Sequence, residues 1–223
     1  MFLDKCNIIC YSTPNYQLVT DIFMESLRNV NVPNENISHK LEIVPDDLMI
    51  VTGFQSNLWY YCVTNKIKHL IETLKINKNK YTYFIFSDCD IRFVERNKNK
   101  WVNIEAFLQL TENDIYFMRE HVSEDVNSGF FIMKNSSIDK IIDFFTEVYE
   151  TMLSTDNSCM GLGDQTIVNN IKNKINYGFI PNNNVIFGPF EFDVENALIH
   201  HAIGARDVSD KIEQINNVKN LII

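Results

Sequence analysis

The chain has 223 residues and a formal charge of -9, with 45% hydrophobic and 12% aromatic side chains. That length and apolar content can bury a sizeable core, which excludes a disordered linker. The acidic balance excludes a general nucleic-acid binder, because a phosphate backbone requires a basic face. There is no apolar run of about 18 residues, so no membrane span is predicted. The opening MFLDKCNIICYS, interrupted by Asp4 and Lys5, reads as a strand and not as a secretory leader. Five cysteines at irregular positions (6, 10, 62, 89 and 159), with no CxxC pair, predict buried thiols and a reducing, cytoplasmic setting.

Strand and helix patterns alternate along the chain. A strand at Lys5–Tyr11 precedes a helix over Tyr16–Val30, with Leu18, Ile22, Ser26 and Leu27 on one face, and a short strand is expected at Leu41–Val44. Between Thr64 and Lys75, residues Ile67, Leu70, Ile71 and Leu74 recur at i, i+3, i+4 and i+7, the pattern of an amphipathic helix. The aromatic and β-branched run YTYFIFS predicts a buried strand ending at Ser87. Further strands are expected at Ile115–Arg119 and Phe130–Lys134. Ser136 or Ser137 is expected to cap a helix with Ile138, Ile141, Ile142, Phe145 and Tyr149 on its apolar face. Asp164, a natural N-cap, opens a helix carrying Ile167, Val168 and Ile171, and a late strand falls near Ala197–Ala202. Strands alternating with helices imply an α/β fold, a mainly parallel central sheet flanked by helices, in a single domain over residues 1–223. Ligands of such sheets sit beyond the carboxyl ends of the strands, which directs attention to the residues just after each strand.

Ser87-Asp88-Cys89-Asp90 occupies such a position. Two carboxylates one residue apart repel unless a cation offsets them. A hard divalent ion, Mn²⁺ or Mg²⁺, accepts their oxygens and can hold a diphosphate at the same time. Taken without context, D-x-D also describes a solvated turn after a strand. His200 and His201 offer an imidazole to such an ion. Adjacent strand residues face opposite ways, so only one of them can serve.

The string FIFSDCDIRFV resembles the D-x-D segment of GT-A-fold glycosyltransferases, the Rossmann-like nucleotide-diphospho-sugar transferases. Three more segments follow in matching order over residues 84 to 204. Asn127-Ser128-Gly129 resembles the N-[ST]-G strand entry of the glycogenin-like and plant xylosyltransferase-like families. Asp164-Gln165 resembles their D-Q pair at a helix start. His201-Ala202-Ile203-Gly204 resembles their late H-x-x-G, and this spacing favours His201 over His200 as the third metal ligand beside Asp88 and Asp90.

The resemblance implies a hexosyl- or pentosyltransferase that takes a nucleotide-sugar donor, a UDP-sugar, and an unidentified acceptor (glycan, protein or small molecule). It implies a retained anomeric configuration, with Asp164 and Gln165 at the reacting sugar. Cys89, Asn127, Ser128, Gly129 and Gly204 would then lie along the donor, and Lys66 would approach it from the helix before the D-x-D strand. The nucleotide would rest over the end of the first strand, at Tyr11, Ser12, Thr13 and Tyr16. If the outcome were inversion, Glu120 or Asp125 would supply the base. The K-P-W segment that follows H-x-x-G in glycogenin-like enzymes is missing, and Arg206 or Lys211 is left as the phosphate cation. Two other functions fit D-x-D: a metal-dependent phosphohydrolase, and a non-catalytic nucleotide-sugar-binding module.

Overall fold

The computed structural model describes residues 1–50, 55–120, 123–154, 163–188, 194–203 and 207–222. Its first elements are strand β1 (Cys6–Ser12), helix α1 (Gln17–Asn29), strand β2 (Ile37–Leu41), helix α2 (Asn57–Asn77), strand β3 (Tyr83–Ser87) and the short strand β4 (Ile91–Phe93). Helix α3 (Trp101–Leu110), strands β5 (Ile115–Arg119) and β6 (Val126–Lys134), and helices α4 (Ile138–Ser154) and α5 (Asp164–Ile171) follow. Strands β7 (Tyr177–Phe179), β8 (Val185–Phe187) and β9 (Ile199–His201) and helix α6 (Val208–Ile222) complete the order.

Six strands form the central sheet in the order β2-β1-β3-β6-β5-β7. Strand β6 runs antiparallel to both neighbours, and the other five share one direction. The sheet is therefore mainly parallel, flanked by helices, as the alternating pattern implied. Strands β1 and β3 are buried along their whole length, which explains why both read as continuous apolar runs instead of alternating ones. Their side chains still divide by parity. Ile9, Phe84 and Phe86 meet Ile67, Leu70, Ile71 and Leu74 of α2 and the apolar stripe of α4. Ile8, Cys10 and Ile85 meet Phe23 and Leu27 of α1 on the opposite face. Each of these side chains contributes roughly 1.5–3 kcal/mol on burial. The two clusters together fix the height at which β3 ends.

A second, three-stranded sheet has the order β4-β9-β8. Strand β4 follows the D-x-D turn directly and pairs antiparallel with β9, setting Ile91 opposite His201. This pairing carries β9 to the D-x-D turn.

Several expectations are corrected. The second strand lies at Ile37–Leu41, not Leu41–Val44, because β1 pairs with it in the register Ile8↔Ile37 to Ser12↔Leu41. It is an edge strand whose last residues are exposed, so no apolar pattern marked it. Leu18 is 64% exposed, and the buried face of α1 is Val19, Phe23, Ser26 and Leu27. Helix α2 begins seven residues before Thr64, at Asn57, capped by Ser56, whose hydroxyl accepts from the Trp59 backbone N–H at 3.2 Å. Strand β6 begins at Val126 and not at Phe130, so Asn127-Ser128-Gly129 lies within it. Before α4 the chain makes a 3-10 turn at Asn135–Ser137, and the Ser137 hydroxyl donates to the Asp114 carboxylate. Gly163, not Asp164, holds the N-cap position of α5. No helix among the described residues is long and apolar enough to cross a membrane.

Candidate active site

Strand β3 delivers Asp88 to the carboxyl edge of the central sheet. The Asp88 N–H donates to the Gly129 carbonyl at 2.7 Å, continuing the β3–β6 ladder by one step. The Ile91 N–H closes the turn on the Asp88 carbonyl at 3.3 Å, and the Ala202 N–H reaches the Asp90 carbonyl at 3.0 Å. Backbone hydrogen bonds thus fix both carboxylates relative to β6 and β9.

Gly129 sits where they converge. A Cβ at this position would lie 3.0 Å from Asp88 Oδ2, 3.0 Å from His201 Cε1 and 2.9 Å from Asn127 Oδ1. Only a residue without a side chain lets the Asp88 carboxylate and the His201 imidazole share that space. His201 Nε2 is 3.4 Å from Asp90 Oδ1. Asp90 Oδ1 and His201 Nδ1 are both buried without a hydrogen bond. His200 points the other way, with Nε2 3.1 Å from the Gly188 carbonyl. Burial lowers its pKa to about 4, partly opposed by that carbonyl.

Two lysines supply the positive charge. Lys66 of α2 is buried, with Nζ 2.7 Å from Asp164 Oδ2 and 3.3 Å from Asp88 Oδ1. Burial alone would lower its pKa, but the Asp164 and Asp88 carboxylates outweigh burial and hold it above the ordinary value. Lys211 of α6 donates to Asp90 Oδ2 and lies 3.4 Å from the Ala202 carbonyl oxygen. Desolvation pushes the Asp88 carboxyl up to about 6, with Lys66 pulling against it and the neighbouring Asp90 and Asp164 adding to it. Burial would raise Asp90 as well, but Lys211 and His201 hold it well below the usual carboxylate range. Two carboxylates of one motif are thereby pushed in opposite directions, a feature common at reactive sites.

The D-Q pair enters from α5. Asp164 turns its carboxylate onto Lys66. Gln165 Oε1 accepts from the Ser128 N–H at 3.2 Å, and Gln165 Nε2 donates to Glu120 Oε2 at 3.0 Å. Asn127 Nδ2 donates to the same Glu120 oxygen at 2.6 Å, and its Oδ1 accepts from the Gly129 N–H at 2.8 Å. Glu120 therefore joins N-S-G to D-Q, an organising role that the sequence reading, which weighed it only as a base, did not assign. The β5–β6 register shifts between Phe117 and Met118, just before this junction. Such irregularities re-aim side chains beside reactive sites.

At the end of β1, Ser12 Oγ lies 2.8 Å from His39 Nε2, and Thr13 Oγ1 donates to Asn15 Oδ1 at 2.5 Å. The Tyr11 hydroxyl is buried without a partner. Tyr16 lies on the Lys211 side, its ring centroid 5.9 Å from Nζ. Cys89 turns its thiol away from the carboxylates into the core, toward the Tyr11 carbonyl at 3.4 Å, and so fastens the D-x-D turn to β1. Cys6, Cys10, Cys62 and Cys89 are free thiols. Gly204, Arg206 and Cys159 lie outside the described residues.

Among the described residues no three His, Cys, Asp or Glu side chains close around a common ion. The donor types nevertheless suit Mn²⁺ or Mg²⁺. The orphaned Asp90 and His201 atoms, and the space over Gly129, fit a bound cation, and the Lys211 ammonium takes a cation's place at Asp90.

The fold is similar to that of solved glycosyltransferases. A glycosyltransferase involved in the glycosylation of the major capsid of PBCV-1 matches at TM-score 0.62 and 13% identity, covering 94% of this chain and 98% of its own. GlyE of Streptococcus pneumoniae matches at 0.54 and 13%, covering 90% of this chain and 55% of its own. Mouse xyloside xylosyltransferase 1 matches at 0.52 and 12%, covering 90% and 98%. At such identities the likeness shows the fold alone. No curated protein sequence matches the chain. A family model described as nucleotide-diphospho-sugar transferase matches residues 32–214, well over half of the 223. The chain belongs to that family and is a glycosyltransferase of the GT-A fold.

Proposed function

We propose that the chain transfers a sugar from a UDP-sugar to a glycan, protein or small-molecule acceptor, with retained configuration. The transfer uses Mn²⁺ or Mg²⁺ held by Asp88, Asp90 and His201. The observation that carries this reading is the meeting of the Asp88 carboxylate and the His201 imidazole over Gly129. When bound, the ion supplies Lewis-acid neutralisation of the departing diphosphate.

The chain's own residues complete the reaction. Lys66 and Lys211 add positive charge on either side of the D-x-D turn. Asn127, Ser128 and Gln165 present amide and hydroxyl groups matched to sugar hydroxyls. Asp164 and Gln165 lie at the reacting sugar, where Gln165 is held by the Ser128 N–H and by Glu120. Tyr11, Ser12, Thr13 and Tyr16 receive the nucleoside at the end of β1, and Cys89 positions the turn from below. For the alternative bases the arrangement offers structural roles. Glu120 is engaged by Asn127 and Gln165, and Asp125 is an exposed partner of Lys172 at 3.4 Å. We read residues 1–223 as one catalytic domain in a reducing, cytoplasmic compartment, which the free thiols of Cys6, Cys10, Cys62 and Cys89 among the described residues support.

The test is a panel of nucleotide sugars incubated with the protein and Mn²⁺, with hydrolysis followed by NMR. The reading expects metal-dependent release of sugar from a UDP-sugar, with the first-formed anomer matching the donor's. Release unaffected by EDTA, or an inverted first anomer, would count against it.

A further inference from the structure

Lys211 sits on one of the two oxygens that a metal ion at Asp90 would use. Its Nζ donates to Asp90 Oδ2 and lies 3.4 Å from the Ala202 carbonyl oxygen, while the other oxygen of Asp90 faces His201 at 3.4 Å. The pair is nearly dry, with side chains 15% and 11% exposed.

Helix α6 itself is firmly seated. Ile215 packs with Val19 and Ala202, flanked by Val208, Ile212, Tyr16 and Ile22. Gln214 Nε2 donates to the Ile203 carbonyl at 3.1 Å. The helix can therefore stay docked while the long, flexible lysine stem changes partner.

We propose that Lys211 is a built-in counter-ion that makes binding of the divalent ion and of the nucleoside diphosphate mutually dependent. The inference rests on the reading of Asp90 as a metal ligand. A divalent ion that takes Asp90 Oδ1 would sit beside the Lys211 ammonium on Oδ2, and like charges at that separation repel at low dielectric. That repulsion favours movement of Lys211 away from Asp90 when the ion binds. Displacement leaves a nearly buried ammonium near the Ala202 carbonyl and Tyr16, without its carboxylate partner at Asp90, a costly state until an anion arrives. A diphosphate is such an anion, and by taking up Lys211 it releases Asp90 to the ion. Each ligand lowers the cost of binding the other, and the effect is reciprocal.

The test is Mn²⁺ binding followed by electron paramagnetic resonance, with and without UDP, for the wild-type protein and for Lys211→Met, Lys211→Gln and Lys211→Arg. Thermal melts in EDTA confirm that each variant is folded. Without UDP, Lys211→Met should bind Mn²⁺ on the order of 10-fold more tightly than wild type, and UDP should then strengthen Mn²⁺ binding less than it does in wild type. Lys211→Arg should behave as wild type. Lys211→Gln keeps a hydrogen-bond donor without the charge; it carries the same expectation as Lys211→Met should the methionine variant not fold. If the neutral variants bind Mn²⁺ alone no more tightly than wild type, while UDP still promotes Mn²⁺ binding, the counter-ion role is overturned and the metal site stands. If no variant and no wild-type protein binds Mn²⁺ even with UDP, the metal site fails, and the inference fails with it.

Discussion

Lys66 on α2 and Asp164 at the start of α5 form an ion pair of 2.7 Å with side chains only 9% and 6% exposed. The same ammonium reaches Asp88 at 3.3 Å, so one lysine ties the D-x-D turn to the D-Q pair. Removing Lys66 strands both carboxylates, whereas neutralising Asp164 as well leaves only that of Asp88. Lys66→Met should therefore lower unfolding free energy by about 3–5 kcal/mol. Adding Asp164→Asn should restore part of that loss. Urea denaturation of the two variants checks it; a double variant no more stable than Lys66→Met would contradict the pairing.

Gly129 leaves no room for a methyl group among Asn127, Asp88 and His201. Gly129→Ala must push the Asp88 carboxylate and the His201 ring apart, at a stability cost of roughly 1–3 kcal/mol. The larger effect should fall on the site, with Mn²⁺ affinity reduced at least ~10-fold, as for loss of groups that orient metal ligands. Calorimetric titration with Mn²⁺ in the presence of UDP, alongside a thermal melt, separates the two effects.

His200 and His201 are adjacent and should respond differently. Burial depresses the His200 pKa to about 4, against about 6.5 in an unfolded chain. The unfolded state therefore takes up its proton first, and stability falls as pH drops from about 6.5 toward 4, by roughly 3 kcal/mol in all. His200→Gln, which can still donate to the Gly188 carbonyl, should flatten that part of the stability profile and leave Mn²⁺ binding intact. His201→Gln should do the reverse. Denaturation midpoints at several pH values, paired with Mn²⁺ titrations, check both halves.

Glu120 accepts from both Asn127 and Gln165. Glu120→Gln keeps the shape but weakens charge-assisted acceptance and brings an amide donor toward two other donors. We expect a fall in turnover of at least ~10-fold with a smaller change in donor affinity, the pattern of a positioning residue. If Glu120 were instead the base of an inverting reaction, added azide would rescue the Glu120→Ala variant; no rescue is expected.

What the sequence revealed depended on how local the cause was. Strands β3 and β5 and the packed face of α2 were readable because burial on both sides, or a 3.6-residue stripe, leaves a local imprint. Strand β2 was misplaced because it is an edge strand, half exposed, with its register set by β1 and not by its own pattern. The pairing of β4 with β9 was invisible, since three-residue strands carry too little pattern and their partners lie far apart in the chain. In the site, Asp88, Asp90, Asn127, Gly129, Asp164 and His201 were identified by motif, and the fold draws them together. Lys211 appeared only as one of two replacements for a missing segment, because its approach to Asp90 is created by the docking of α6 on α1. Glu120 lacked any signal for its joining role, since both of its partners are brought to it by tertiary structure.

The central claim is that Asp90 belongs to a metal site that holds the donor. The most direct measurement is calorimetric binding of the UDP-sugar identified by hydrolysis, with Mn²⁺ and with EDTA, to wild-type protein and to Asp90→Asn. The account predicts Mn²⁺-dependent binding by the wild-type protein and a loss of at least ~10-fold in affinity for Asp90→Asn, with the variant still folded. Equal donor affinity in Mn²⁺ and in EDTA, or an Asp90→Asn variant that binds as wild type does, would contradict it.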